Sequence, residues 1–173
     1  MDIISDISVT KLLFVVALLT AASFDIARYR ISNVIVVLLL LGFAIVAFVG
    51  SAEVDWLDHF LAGAIFFVGG IIFYALGQMG AGDVKLLGAI ALWGGLGVLV
   101  PLLFWIAVAG LLVMLILLIL RRIIPILRSS RLLRLPDPLP PVLIPGNGVP
   151  YGAPIFIGTS IALSEFPSWL WAI

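Results

Sequence analysis

The run LLFWIAVAGLLVMLILLIL at residues 102–120 contains no charged side chain and decides the class of fold. A helix needs about 20 apolar residues to cross a bilayer, and this run meets that requirement. Hydrophobic residues make up 64% of the chain and charged residues only 10%, with a mean hydropathy of +1.36. A soluble domain of this size cannot bury so much apolar surface. The sequence therefore predicts an integral membrane protein.

Five further apolar segments lie on either side of this run. We expect one all-α polytopic membrane domain over residues 1–173, with no room for a separate soluble domain. The first segment is not interpreted as a signal peptide, because Asp2 and Asp6 stand where a basic region would be expected. The six predicted transmembrane helices are Lys11–Ala27, Val34–Gly50, Trp56–Leu76, Val84–Val100, Leu102–Leu120 and Tyr151–Ala172.

The basic residues predict the orientation of these helices. All but Lys11 follow segment 1, separate segments 3 and 4, or follow segment 5, so six spans place them on one side, which should be cytoplasmic. Lys11 alone falls on the other side. Both termini are then extracytoplasmic, while Asp25 and Asp83 both fall at the cytoplasmic face. The basic residues on that side are Arg28, Arg30, Lys85, Arg121, Arg122, Arg128, Arg131 and Arg134.

Residues 121–150 are expected to form a basic, proline-rich cytoplasmic loop. Arg121–Leu135 mixes arginine with isoleucine and leucine, so it fits either an interfacial helix or a solvated anchor. Pro136–Pro145 carries five prolines and should be extended or turned rather than helical.

The strongest local motif is Gly80-Ala81-Gly82-Asp83, followed by Lys85. Gly80 and Gly82 let the backbone turn sharply and approach a substrate strand closely. An ionisable residue at a membrane boundary is costly, which makes Asp83 a functional candidate. The structural alternative is that Asp83 is only the N-cap of the fourth helix.

A second motif begins at Asp25, at the end of the first apolar run, and continues to Asn33. Its structural interpretation is a polar helix end in which Asp25 pairs with Arg28 one turn later. Asn33 is expected to be the N-cap of the second helix.

The third motif, Pro150-Tyr151-Gly152, opens the last apolar segment. Proline is tolerated near a helix start, and glycine allows close packing, so a purely structural role would also explain it.

Two carboxylates brought together can act as general base and general acid, the minimum equipment of an aspartic protease. A small proton- or cation-coupled transporter or channel is the alternative, although transport sites lie near the bilayer midplane. A non-catalytic subunit of a secretion machine is a third possibility. No phosphate loop, metal cluster or serine triad is apparent, so we expect no metal and no cofactor.

In their order and placement, the three motifs resemble the signatures of the type IV prepilin peptidases. The resemblance implies a GxGD-type membrane aspartic endopeptidase with Asp25 and Asp83 as the catalytic pair. Its substrate would be a type IV prepilin or prepilin-like protein, cleaved after a short basic leader at the cytoplasmic face of the inner membrane. The residues it assigns to substrate binding or site shaping are Asn33, Gly80, Gly82, Lys85, Pro150, Tyr151 and Gly152.

Two departures refine this resemblance. Many members have Ile-Pro-Asn where this chain has Ile31-Ser32-Asn33, which changes loop stiffness more than chemistry. The larger bifunctional members carry a cysteine-rich loop and also methylate the product, whereas this chain has no cysteine. It therefore resembles the short, peptidase-only branch that serves tight-adherence (Flp-type) pili, and methyltransferase activity is not expected. Archaeal preflagellin peptidases are a similar short branch. Membrane lipid is an expected partner and nucleic acid is not.

Overall fold

A computed structural model describes residues 8–50, 53–129 and 138–172, and these residues form helices and connecting turns without any strand. Four short 3-10 turns lie at 96–98, 141–143, 163–165 and 168–171. The α-helices are α1 (Val9–Arg28), α2 (Asn33–Val49), α3 (Trp56–Ala75), α4 (Ala81–Gly94), α5 (Leu99–Ser129) and α6 (Gly152–Ala162).

The helices suit a membrane, which agrees with the predicted class. Three helical segments, Val9–Arg28, Trp56–Ala75 and Leu96–Leu127, are long and apolar enough to cross a bilayer, while α2 is apolar but shorter. Large apolar side chains face outward, among them Phe48 and Val100, which are each 78% exposed. In lipid such side chains meet hydrocarbon rather than water. The count of six spans and the side of each terminus stay predictions.

The helix ends differ from the predicted segments in three places. The fourth segment, predicted to run to Val100, ends at Gly94 because Gly95 has φ +74°, and a 3-10 turn leads into α5 at Leu99. Helix α5 does not stop at Leu120 but continues to Ser129 with Pro125 inside it, so the first part of the expected 121–150 loop is helical. Arginine, leucine and isoleucine are compatible with helix, which explains the continuation. Helix α6 ends at Ala162 and gives way to 3-10 turns on both sides of Pro167, instead of running to residue 172. Residues 136–137 of the proline-rich stretch lie outside the described residues.

Helix α4 lies at the centre of the bundle. It packs against α3 and α2 and also touches α6, while α6 packs against α1 and α5. Almost every residue from Asp83 to Gly94 is buried, including Ile90 and Trp93. Because neighbouring helices surround α4, its short length does not leave backbone groups facing lipid.

The two ends of the bundle have different chemistry. At one end, aromatic rings of Phe14, Phe43, Trp93, Trp169 and Trp171 form a contiguous cluster. At the opposite end lie the three motifs. Successive helices therefore alternate in direction, which brings the end of α1 and the start of α4 to the same end.

Close contact between α5 and α6 depends on Gly158. A Cβ at Gly158 would lie 2.5 Å from the Ile106 backbone, whereas a Cβ at Gly110 on the facing helix would lie 3.8 Å from Pro154. The first distance is a clash with backbone, and the second is ordinary packing.

We therefore expect Gly158→Ala to destabilise the folded protein by about 1–3 kcal/mol, because the two helices must separate to admit the methyl group. Gly110→Ala in the same interface should be neutral or slightly stabilising, since alanine favours helix. Thermal unfolding of both variants in the same detergent measures this difference. Equal melting temperatures would contradict the packing explanation.

Candidate active site

Asp83 lies in the first turn of α4, but it is not the N-cap. Gly80 occupies that position, and its backbone N–H donates to Asp83 Oδ2 at 3.2 Å. The side chain is only 7% exposed, and Oδ1 has no hydrogen-bond partner among the described residues. One oxygen of this carboxylate is thus fixed by the protein, and the other makes no hydrogen bond within the described residues.

Asp25 lies one turn before the end of α1 and is 5% exposed. Its Oδ2 accepts a 2.7 Å hydrogen bond from the backbone N–H of Gly152, the first residue of α6. The second and third motifs, 127 positions apart, therefore meet at this carboxylate. Arg28 lies over the ring of Phe24, 5.5 Å from its centroid.

Asp25 and Asp83 line one cavity of about 330 Å³. Within the described ranges, no group of three or more acidic, histidine or cysteine side chains that could hold a metal ion is found. The structure thus brings the two carboxylates together, although they come from different helices. The other lining residues are Tyr29, Arg30, Ile31, Asn33, Gly80, Ala81, Gly82 and Lys85.

Glycines at the site permit close approach of the backbone. A Cβ at Gly82 would lie 3.0 Å from Ile31 Cβ, and one at Gly80 would lie 2.9 Å from Asp83 Oδ2. At Gly152 it would lie 2.8 Å from Asp25 Cβ. An added methyl group would therefore displace Asp25 at Gly152 and the Asp83 carboxylate at Gly80, and would push Ile31 slightly at Gly82.

The remaining motif residues have different positions. The prediction that Asn33 caps α2 is wrong: Ser32 is the N-cap, and Asn33 Oδ1 instead accepts a 3.0 Å hydrogen bond from Lys85 Nζ. This bond ties the start of α2 to α4 beside the cavity. Pro150 is buried and Tyr151 is exposed, and neither is among the residues that line the cavity.

Sequence reasoning gave no role to Tyr29 or Arg121, which both bind the segment leading to α6. The Tyr29 hydroxyl and the Arg121 guanidinium each donate to the carbonyl of Gly148. Tyr29 lies inside the second motif, whereas Arg121 is one of several arginines that membrane topology also explains. Nothing in a basic cluster marks the member that is used inside the fold.

The sequence profile of the type IV leader peptidase family matches residues 12–118, which include both aspartates. The chain belongs to the type IV leader peptidase family. The resemblance drawn from the three motifs is thereby confirmed, and the protein is a membrane-embedded peptidase of the prepilin type with a prepilin-like substrate. No curated protein and no solved structure shows significant similarity to it. Gly152 lies beyond the matched residues.

For this leader peptidase we expect Gly152→Ala to lower turnover by on the order of tenfold to a hundredfold, because the added methyl group displaces Asp25. Gly69→Ala in α3, where a Cβ meets nothing within 4 Å, is the matched control and should keep normal turnover. Cleavage of a prepilin-like substrate by the purified variants measures the effect. Normal turnover in Gly152→Ala would show that the close contact is not needed.

Proposed function

We propose that this chain is an aspartic endopeptidase that removes the short basic leader from type IV, Flp-like prepilins at the cytoplasmic face of the inner membrane. Asp25 and Asp83 are its catalytic pair. The observation that carries the proposal is that two buried carboxylates from different helices share one cavity, each held by a single backbone N–H.

The electrostatics of the pair support a shared proton. Two buried carboxylates that line the same cavity raise the cost of ionising each other, so one proton shared by the pair is favoured. Because the titrations are coupled, apparent pKa values belong to the pair rather than to either residue.

Hydrolysis then needs only the two carboxylates and water. The ionised carboxylate takes a proton from a water molecule while the water oxygen attacks the scissile carbonyl carbon. The protonated carboxylate gives its proton to the carbonyl oxygen. When the tetrahedral gem-diol intermediate collapses, the C–N bond breaks and the leaving amine receives a proton from the first carboxylate. The second carboxylate takes back a proton from a hydroxyl group of the intermediate, which restores the starting protonation of the pair. The unpartnered Oδ1 of Asp83 is available for one of these transfers.

Charge at the cavity bears on substrate recognition. Arg30 and Lys85 line it beside the two aspartates, so a basic leader finds no acidic surface there apart from the catalytic pair. Binding energy should come from the apolar helix of the prepilin packing among the spans, with anionic lipid attracting the leader and the enzyme alike.

The transporter alternative is less favoured by the position of the carboxylates. Transport sites lie near the bilayer midplane. Asp25 is one turn from the end of α1, and Asp83 is in the first turn of α4. Both are therefore at one end of the bundle, where a protease can receive a chain from the aqueous side.

Replacement of either aspartate tests the pair. We expect Asp25→Asn and Asp83→Asn each to reduce leader cleavage by at least about a hundredfold, because asparagine keeps the shape but cannot transfer the proton. Glu53→Gln, on an exposed carboxylate before α3, is the matched control and should leave cleavage unchanged. The assay is co-expression with Flp-like and preflagellin-like substrates at matched enzyme levels, scored by gel shift. Near-normal processing by either asparagine variant would rule out the dyad.

Side-specific labelling tests the proposed face. Pro145 is exposed in the segment that leads to the site, and Glu53 is exposed at the opposite end of the bundle. In intact cells, an impermeant thiol reagent should therefore label Glu53→Cys and spare Pro145→Cys until the cells are opened. The chain has no native cysteine to interfere. External labelling of Pro145→Cys would place the active site on the other side.

A further inference from the structure

The segment 141–148 is fixed to the bundle by an arginine from α5. Arg121 donates from Nε to the carbonyl of Val142 at 3.0 Å, and from Nη1 and Nη2 to the carbonyls of Asn147 and Gly148, each at 2.8 Å. Hydrogen bonds from a charged donor are stronger than neutral ones, and the planar guanidinium holds several acceptors in fixed directions. A lysine could not reproduce this arrangement.

Tyr29 fixes the same segment from α1. Its hydroxyl donates to the carbonyl of Gly148 at 3.1 Å, while its backbone N–H donates to the carbonyl of Asp25 at 2.8 Å. Tyr29 has φ +52°, a left-handed conformation that is uncommon for a residue with a bulky side chain. The helix end that carries Asp25 is thus joined directly to segment 141–148.

The segment also closes on itself. Asn147 Nδ2 donates to the carbonyl of Pro141 at 2.8 Å, so its two ends are held together independently of the helices. Arg121 and Tyr29 therefore bind a segment that is already folded by its own hydrogen bond.

From Gly148 the chain reaches the catalytic pair within four residues. Pro150 is buried and has a fixed φ, which limits the freedom of this connection. Gly152 then donates its backbone N–H to Asp25 Oδ2 at 2.7 Å. Because this connection is short, the position of Gly148 sets the position of the Gly152 N–H.

We propose that Arg121 is a positioning residue for catalysis: with Tyr29 it holds segment 141–148 so that the N–H of Gly152 orients Asp25. This inference rests on the proposed function, because it takes Asp25 as a catalytic carboxylate. It also assigns a role to the part of the chain beyond the matched residues 12–118. An arginine that only anchored the helix at lipid headgroups would not be expected to donate hydrogen bonds to three backbone carbonyls.

Arg122 provides the matched control for the activity test. It is the next residue of α5, carries the same charge and is exposed. We expect Arg121→Ala to lower kcat by on the order of tenfold to a hundredfold with KM almost unchanged, because Asp25 is misplaced while the cavity lining is intact. Arg121→Lys should lose nearly as much, and added guanidinium ion should restore part of the kcat of Arg121→Ala. Arg122→Ala should keep normal kcat.

Amide hydrogen exchange in nanodiscs gives a readout that needs no activity. The Gly152 amide should exchange faster in Arg121→Ala, and to a lesser degree in Tyr29→Phe, but not in Arg122→Ala. If Arg121→Ala does not fold, the same two measurements, kcat and amide exchange at Gly152, are made on Arg121→Lys and Tyr29→Phe.

The inference is overturned if kcat is the same in the Arg121 and Arg122 variants, if the loss lies in KM, or if exchange at Gly152 does not change. Failure of the proposed function gives a different result. In that case the wild-type protein cleaves no prepilin-like substrate, or the Asp25→Asn variant still cleaves it, whatever the exchange experiment shows.

Discussion

The hydrogen bond from the Gly152 backbone N–H to the Asp25 carboxylate joins the last turn of the first helix to the start of the last helix. Asp25 lies one turn before the end of α1, Gly152 is the first residue of α6, and the two helices also pack against each other. An ionisable group inside a membrane protein needs a polar partner, because hydrocarbon offers none. The start of α6 supplies that partner with a backbone group, which the glycine brings within reach. This contact links the position of α6 and the segment before it to the orientation of the Asp25 carboxylate.

The central position of α4 is the second constraint. A helix that carries an aspartate in its first turn could not face lipid there without burying an unpaired polar group. Helices α2, α3 and α6 surround it, and Gly80 satisfies one oxygen of Asp83. The longer helices thereby carry the apolar surface of the protein, and the shorter helix α4 carries Asp83 in the interior.

Sequence patterns were sufficient for the helical class, the family and the two aspartates that share the cavity. Hydropathy is a strong signal, because each span must be apolar over most of its length. It did not locate the end of α5, since Arg121 and Arg122 resemble a boundary but remain compatible with helix. Residue type predicted Asn33 as the N-cap of α2, but the N-cap is Ser32, so type alone does not distinguish adjacent polar residues. The contacts of Arg121 depend on tertiary structure and leave no local pattern.

The aromatic cluster at the far end of the bundle has a consequence for the cell's energy supply. Two titratable groups inside one bundle are a potential proton leak, since a continuous water wire past them would dissipate the gradient across the membrane. Phe14, Phe43 and Trp93 are almost completely buried and fill the interior at the end opposite the aspartates. A path for water from the cavity lined by Asp25 and Asp83 towards the opposite end would meet these packed rings. The same packing that stabilises the fold thus closes the interior of the bundle at the end opposite the two aspartates.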